Sequence, residues 1–253
     1  MPNTLKARLQ AGKASINGWL SIPSGYSAEL MARCGWDSIT VDLQHGVQDY
    51  ASMVQCFQAM SAFPATPLVR VPTNEAGIIG KALDAGAWGV ICPMVNSAAE
   101  AKALVDACMY PPLGRRSNGP NRAATYGGSS SYQDIANDEV LVIPMIETAE
   151  AVANLKAILD VPGVSGVYIG PSDLGFAIGL KPLFDREEPA ILDIYATVTS
   201  EARKRGKFAG LHTISLEYAN RMIAAGFTFV TVGSDASLMT KAAKDALAAV
   251  KKG

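Results

Sequence analysis

Eight short apolar or β-branched runs recur along the chain, each ending in polar residues. They cover residues 18–22, 38–42, 67–71, 89–93, 141–146, 166–169, 208–211 and 228–232. Between them lie Ala- and Leu-rich stretches with helical spacing, such as 27–34, 76–85, 98–109, 149–159 and 191–205. A strand, a helix and a second strand in succession place the two strands parallel, so the alternation specifies a parallel sheet. Eight such units favour closure, and the expected fold is α/β, a single (β/α)8 TIM barrel covering residues 1–253.

Local signals agree with this reading. Gly follows the helical pattern at Cys34-Gly35, Ala85-Gly86, Arg205-Gly206 and Ala225-Gly226, where a left-handed residue ends a helix. Asn3 or Thr4 is placed to cap a first helix. Two connections exceed a plain turn. Residues 110–137 hold three prolines, four glycines and the Ser129-Ser130-Ser131 run, and following the fourth strand they are expected on the face where barrel enzymes keep their active sites. Residues 176–189 follow the sixth strand and are read as another wall of the same site or a subunit contact.

Composition narrows the function classes. Lys and Arg number 22 against 23 Asp and Glu, and no basic run is present to neutralise a row of phosphates, which argues against a nucleic-acid partner. Apolar runs fall short of the roughly 20 residues that span a bilayer, and the polar first residues lack the apolar stretch of a secretory signal, so no membrane association and a cytoplasmic location are expected. Four cysteines, Cys34, Cys56, Cys92 and Cys108, lack CxxC spacing and are read as reduced, buried thiols.

In a barrel, chemistry is carried by residues at the carboxyl ends of strands. Glu147 ends the fifth run and Asp173 follows the sixth, so neighbouring strands bring two hard oxygen ligands to one rim, a pair suited to Mg²⁺ or Mn²⁺. Each also has a plainer reading: Glu147 as a cap for the helix near Thr148, Asp173 as a first-turn acid favoured by the helix dipole. His45, three residues after Asp42, is a candidate general base oriented by that carboxylate, or simply a turn residue before Gly46. Arg70 ends an apolar strand and needs an anion, either a substrate oxygen or a structural partner inside the barrel. Gly170-Pro171-Ser172-Asp173 forms a strand-to-helix turn whose free N–H groups suit a small carboxylate, although Ser172 also fits a simple cap.

Taken in order, Asp42-x-x-His45-Gly46, Val69-Arg70-Val71-Pro72-Thr73-Asn74, Pro93-Met94-Val95, Tyr110-Pro111-Pro112-x-Gly114-x-Arg116, Ile146-Glu147-Thr148, Ile169-Gly170-Pro171-Ser172-Asp173-Leu174 and Val232-Gly233-Ser234-Asp235 resemble the HpcH/HpaI aldolase family over nearly the whole chain. The likeness is to its class II pyruvate aldolases, such as the 4-hydroxy-2-oxo-heptanedioate and 2-dehydro-3-deoxy-galactarate aldolases. It implies a divalent ion (Mg²⁺, Mn²⁺ or Co²⁺) on Glu147 and Asp173, an Asp42-His45 dyad for proton transfer, and Arg70 on the keto oxygen of pyruvate or hydroxypyruvate. It also implies a substrate carboxylate on main-chain N–H groups around Ser172 and Asp173. The reaction implied is reversible aldol addition to an aldehyde, giving 4-hydroxy-2-oxo acids. A homohexamer with an exchanged C-terminal helix follows by the same resemblance, with Asp84 reaching a neighbouring subunit's site.

Three positions depart from the family pattern. Gln44 stands where Glu is usual, Met145 where Gln is usual, and His212 where a small aliphatic residue faces the aldehyde. A malyl- or citramalyl-thioester lyase and a non-catalytic acid-binding barrel are the competing readings. The first lacks a basic cluster for coenzyme A phosphates. No lysine ends any of the eight strand runs, which argues against a Schiff-base mechanism.

Overall fold

The computed structural model describes residues 3–126 and 131–250. Residues 127–130, the Gly127-Gly128-Ser129-Ser130 part of the long connection, lie outside that range. The strands are β1 (Ser15–Leu20), β2 (Ser38–Asp42), β3 (Thr66–Arg70), β4 (Gly89–Cys92), β5 (Leu141–Pro144), β6 (Gly166–Ile169), β7 (Phe208–Thr213) and β8 (Phe229–Val232). The helices are α1 (Thr4–Gln10), α2 (Gly25–Ala32), α3 (Tyr50–Met60), α4 (Ala76–Asp84), α5 (Ala98–Cys108), α6 (Tyr132–Glu139), α7 (Ala149–Ala153), α8 (Leu155–Leu159), α9 (Pro171–Ala177), α10 (Pro189–Lys204), α11 (Leu216–Ala224) and α12 (Asp235–Ala249).

All strand pairs are parallel, in the order β5-β4-β3-β2-β1-β8-β7-β6. The seam between β5 and β6 is closed by a bridge between Met145 and Tyr168, with the Ile146 N–H on the Tyr168 carbonyl at 2.8 Å and the Ser165 N–H on the Val142 carbonyl at 2.9 Å. The chain is therefore a (β/α)8 barrel. The fifth strand is expected to run to residue 146; the regular strand ends at Pro144, and Met145 and Ile146 extend it only through the bridge to β6.

Alternation along the strands sorts side chains into two cores. Trp19, Leu68, Ile91, Leu141, Ile143, Met145, Tyr168, Phe208 and Phe229 fill the inside, with Leu5 and Leu9 of α1. The larger cluster, including Ile39, Val41, Val90, Val142, Val167 and Val230, meets the helices. Asn3 caps α1 by accepting from the Lys6 N–H at 3.1 Å, and its Nδ2 donates to the Trp88 carbonyl at 3.2 Å. These bonds hold α1 beneath the strands' amino ends. The four glycines expected at helix ends, Gly35, Gly86, Gly206 and Gly226, all have positive φ.

Two sequence expectations are corrected. Residues 110–126 and 131–137, the described parts of the long connection, do not lie on the carboxyl-end face. Helix α5 intervenes between β4 and this segment, so it is a helix-to-strand return, and such returns run along the opposite face of a barrel. Its contacts agree: Arg116 Nη2 donates to Asp84 Oδ1 at 2.7 Å and the Arg122 N–H to the Asp84 carbonyl at 3.2 Å, at the end of α4. The cysteines are not all buried either. Cys56, Cys92 and Cys108 are, but Cys34 is exposed just past the end of α2.

Candidate active site

A cavity of about 430 Å³ opens at the carboxyl ends of the strands. Asp42, His45, Arg70, Met145, Tyr168, Gly170, Pro171, Ser172, Asp173 and His212 line it. Gln44, Asp84 and Glu147, also expected at the site, are not among the lining residues; Glu147 lies behind Gly170. Asp84 is tied to Arg116 near the other end of the barrel.

Asp42 and Arg70 are register partners at the ends of β2 and β3. Arg70 Nε donates to Asp42 Oδ1 at 2.8 Å and Nη2 to Oδ2 at 2.6 Å, the two-pronged geometry that a planar guanidinium favours. Trp19 Nε1 donates to Oδ2 at 3.2 Å, and the Arg70 guanidinium lies 4.8 Å from the Trp19 ring centroid. The N–H groups of Gln44 and His45 donate to Oδ1 at 3.1 and 3.3 Å. Burial pushes the Asp42 carboxyl up, but Arg70, Trp19 and the His45 N–H outweigh it and hold the carboxyl below its ordinary value. The structure thus realises the salt-bridge reading of Arg70, and Asp42 meets His45 through its main chain. Among the described residues no acceptor is bonded to Arg70 Nη1.

His45 is exposed on the turn after β2. The turn requires glycine next: a Cβ on Gly46 would overlap the Asp42 carbonyl oxygen and lie 3.3 Å from Ser21 Cα. Asp235, at the start of α12, accepts from the Ser21 N–H at 2.8 Å and from Ser27 Oγ at 2.9 Å. It pins the loop after β1 and is structural.

Glu147 is 2 % exposed. Thr148, not Glu147, caps α7, its side chain accepting from the Ala151 N–H. Among the described residues, the one hydrogen bond to the Glu147 carboxylate comes from the Met94 N–H, 2.8 Å from Oε1. Met94 adopts φ 56°, a left-handed conformation unusual for its type, and this turns its N–H toward the carboxylate. Oε2 lies over Gly170, where a Cβ would overlap it and sit 2.9 Å from Met145 Cε. Burial pushes the Glu147 carboxyl up to about 7; the Met94 N–H opposes the rise and the Asp173 charge adds to it. Asp173 is exposed in the first turn of α9, whose N-cap is Gly170 with no side-chain cap bond. Two carboxylates, the buried one with a single hydrogen bond and no cation bonded to it among the described residues, fit a hard divalent ion. Among the described residues no group of three or more His, Cys, Asp or Glu gathers as a metal cluster, so water and substrate oxygens would complete the shell.

His212 is a β7 residue, in register with Thr231. Its Nδ1 lies 3.2 Å from Tyr168 Oη, which donates to Thr231 Oγ1 at 2.6 Å. Sequence reasoning missed Trp19, Met94, Tyr168 and Phe184. Strand periodicity carries a signal for Trp19 and Tyr168, both on inward-facing positions near strand ends, but none for the Met94 backbone or for Phe184, which a loop folds over the rim.

Residues 17–242 match the HpcH/HpaI aldolase/citrate lyase family. The chain belongs to that family. It is 39 % identical over 246 residues to a hydroxypyruvate/pyruvate aldolase from Rhizorhabdus wittichii, covering 97 % of this chain and 98 % of the relative. It is 38 % identical over 251 residues to a 4-hydroxy-2-oxo-heptane-1,7-dioate aldolase from Escherichia coli, covering 98 % and 95 %. An HpcH/HpaI aldolase/citrate lyase family structure from Burkholderia cenocepacia superposes with a TM-score of 0.91 at 30 % identity, covering 97 % of this chain and 98 % of that one. As an HpcH/HpaI aldolase the chain is a carbon-carbon lyase acting on small molecules. Among the described residues no helix is long and apolar enough to cross a membrane.

Proposed function

We propose that this aldolase depends on a divalent ion held by Glu147 and Asp173, and that it adds pyruvate or hydroxypyruvate reversibly to an aldehyde to give 4-hydroxy-2-oxo acids. The observation that carries the reading is the buried Glu147 carboxylate, which among the described residues accepts a hydrogen bond only from the Met94 N–H and is pushed up chiefly by burial, with the Asp173 charge adding to it. A bound Mg²⁺, Mn²⁺ or Co²⁺ supplies the positive charge that this corner lacks and stabilises a developing enolate. Arg70, oriented by Asp42, offers Nη1 to the keto oxygen and strengthens as negative charge builds there. The N–H groups of Ser172 and Asp173 receive the substrate carboxylate; Pro171 at the first helical position has none to offer.

In synthesis a methyl proton leaves pyruvate, the freed electron pair forms the bond to the aldehyde carbon, and the carbonyl oxygen takes a proton. In cleavage His45 takes the C4 hydroxyl proton, directly or through a water, the C3–C4 bond breaks to release the aldehyde, and C3 of the remaining enolate takes up a proton to give pyruvate. Chelation with EDTA followed by restoring Mg²⁺, Mn²⁺ or Co²⁺ tests the metal role, and activity indifferent to chelation would remove it. Pyruvate methyl-proton exchange in D2O, without aldehyde, tests the donor half alone.

Assembly is part of the same proposal. Residues 239–250 of α12 and its end are all exposed, with Met239, Leu247 and Val250 at 61, 64 and 66 %. An apolar helix edge of this kind fits exchange onto a second copy in a hexamer, with Asp84 directed to a neighbour's site.

A further inference from the structure

The cavity has two chemically different sides. One holds Asp173, the Gly170-Pro171-Ser172 turn and, behind it, Glu147. The other is a wall of rings. The Trp19 and His212 rings meet edge to face at 4.9 Å, Phe184 lies 5.3 Å from His212, and Trp19 stacks on Tyr168 at 6.1 Å. Ile214 lines the same side, and Phe184 and Ile214, at 42 and 48 % exposure, form its mouth.

This wall carries little that could receive a negative charge. Among the described residues lining the cavity, Arg70 is the one Lys or Arg, and two of its nitrogens are committed to Asp42. The His212 ring is neutral at working pH, because burial foremost, and then the Arg70 charge, push its pKa down to about 3. The Tyr168 hydroxyl proton goes to Thr231. His212 Nδ1 therefore donates to the phenolic oxygen, and Nε2 is left with a lone pair and no proton. A carboxylate brought against these rings loses water and gains no cation in return; the lining hydroxyls of Ser21, Ser234 and Ser237 are neutral donors.

We infer that the acceptor is an uncharged aldehyde with an aliphatic or aromatic body, and that the ring wall around His212 discriminates against aldehydes ending in a carboxylate. The inference rests on the aldolase reading above and names the acceptor class for that site. A heptane-1,7-dioate, as in the name of the Escherichia coli relative, has a carboxylate at each end, so the two chains are expected to differ in acceptor.

The test pairs pyruvate with succinic semialdehyde and with its uncharged amide, 4-oxobutanamide, and with benzaldehyde. The expected result is a kcat/KM higher by at least about tenfold for both uncharged aldehydes. Equal values, or preference for the semialdehyde, would overturn the inference. Pyruvate exchange in D2O separates the two layers. With exchange intact, a preference for the semialdehyde defeats only the acceptor assignment, whereas absent exchange defeats the aldolase reading beneath it. In His212→Arg, checked as folded by its circular dichroism spectrum, the preference for uncharged aldehydes should shrink at least about tenfold. An unchanged ratio would take His212 out of the discrimination.

Discussion

Arg70 grips Asp42 through two parallel N–H···O bonds of 2.8 and 2.6 Å, with the two side chains only 12 and 3 % exposed. Removing one member of such a pair strands the other charge, so Asp42→Asn should lower stability by roughly 3 kcal/mol in urea unfolding. Activity should fall as well, because Arg70 loses the partner that orients it. A variant as stable as the wild type would mean that the pair serves chemistry alone.

His45 offers the opposite signature. Its ring is exposed, and the link to Asp42 is through the main-chain N–H, which any residue retains. His45→Ala should change stability by no more than about 0.5 kcal/mol. Loss of a general base should slow retro-aldol turnover by roughly 10²–10⁴-fold. Stopped-flow measurement of pyruvate release checks this, and an undiminished rate would exclude His45 as the base.

Glu147 gives the metal-free protein a pH dependence of defined sign. Its carboxyl is raised from 4.5 to about 7, chiefly by burial. The unfolded chain releases this proton at the lower pH, so between the two values the folded state holds more protons. Stability contributed by this group is therefore full below 4.5 and declines as pH rises toward 7. The decline amounts to about 3 kcal/mol. Thermal unfolding of EDTA-treated protein across that range should show it, and Glu147→Gln should flatten it. A divalent ion competes with the proton for the carboxylate, so added Mg²⁺ should oppose the decline.

Gly170→Ala probes the same corner by steric means. Its Cβ would overlap Glu147 Oε2 and press Met145 Cε at 2.9 Å. The carboxylate must move while the strand end stays in place. Mn²⁺ affinity measured by calorimetry should drop at least about tenfold, with the circular dichroism spectrum unchanged. Undiminished affinity would show that Oε2 does not hold the ion.

The exposed α12 makes assembly testable. Ending the chain after Leu238 removes Met239, Leu247 and Val250 from the surface and should lower the particle mass seen by light scattering below that of a hexamer. An unchanged mass would place the interface elsewhere.

The eight-fold alternation, the helix-ending glycines and the strand-end positions of Asp42, Arg70, Glu147 and Asp173 were all legible in the sequence. They depend on local periodicity and turn chemistry, which act over a few residues. What Asp42 and Arg70 do to each other was not legible, because Arg70 had several anions within reach and only the β2–β3 register chose among them. The face taken by residues 110–126 and 131–137 does not follow from their place after the fourth strand; it follows from the intervening α5, which reverses the chain before the segment begins.

The sequence by itself determined the barrel and the residue types at its rim, since repeated βα units allow few other closures. Only the tertiary structure decided which side chains meet. The left-handed Met94, the closeness of Glu147 to Gly170 and the ring wall of Trp19, Tyr168, Phe184 and His212 join elements far apart in the chain. Contacts of that kind are set by packing geometry, which no local pattern encodes.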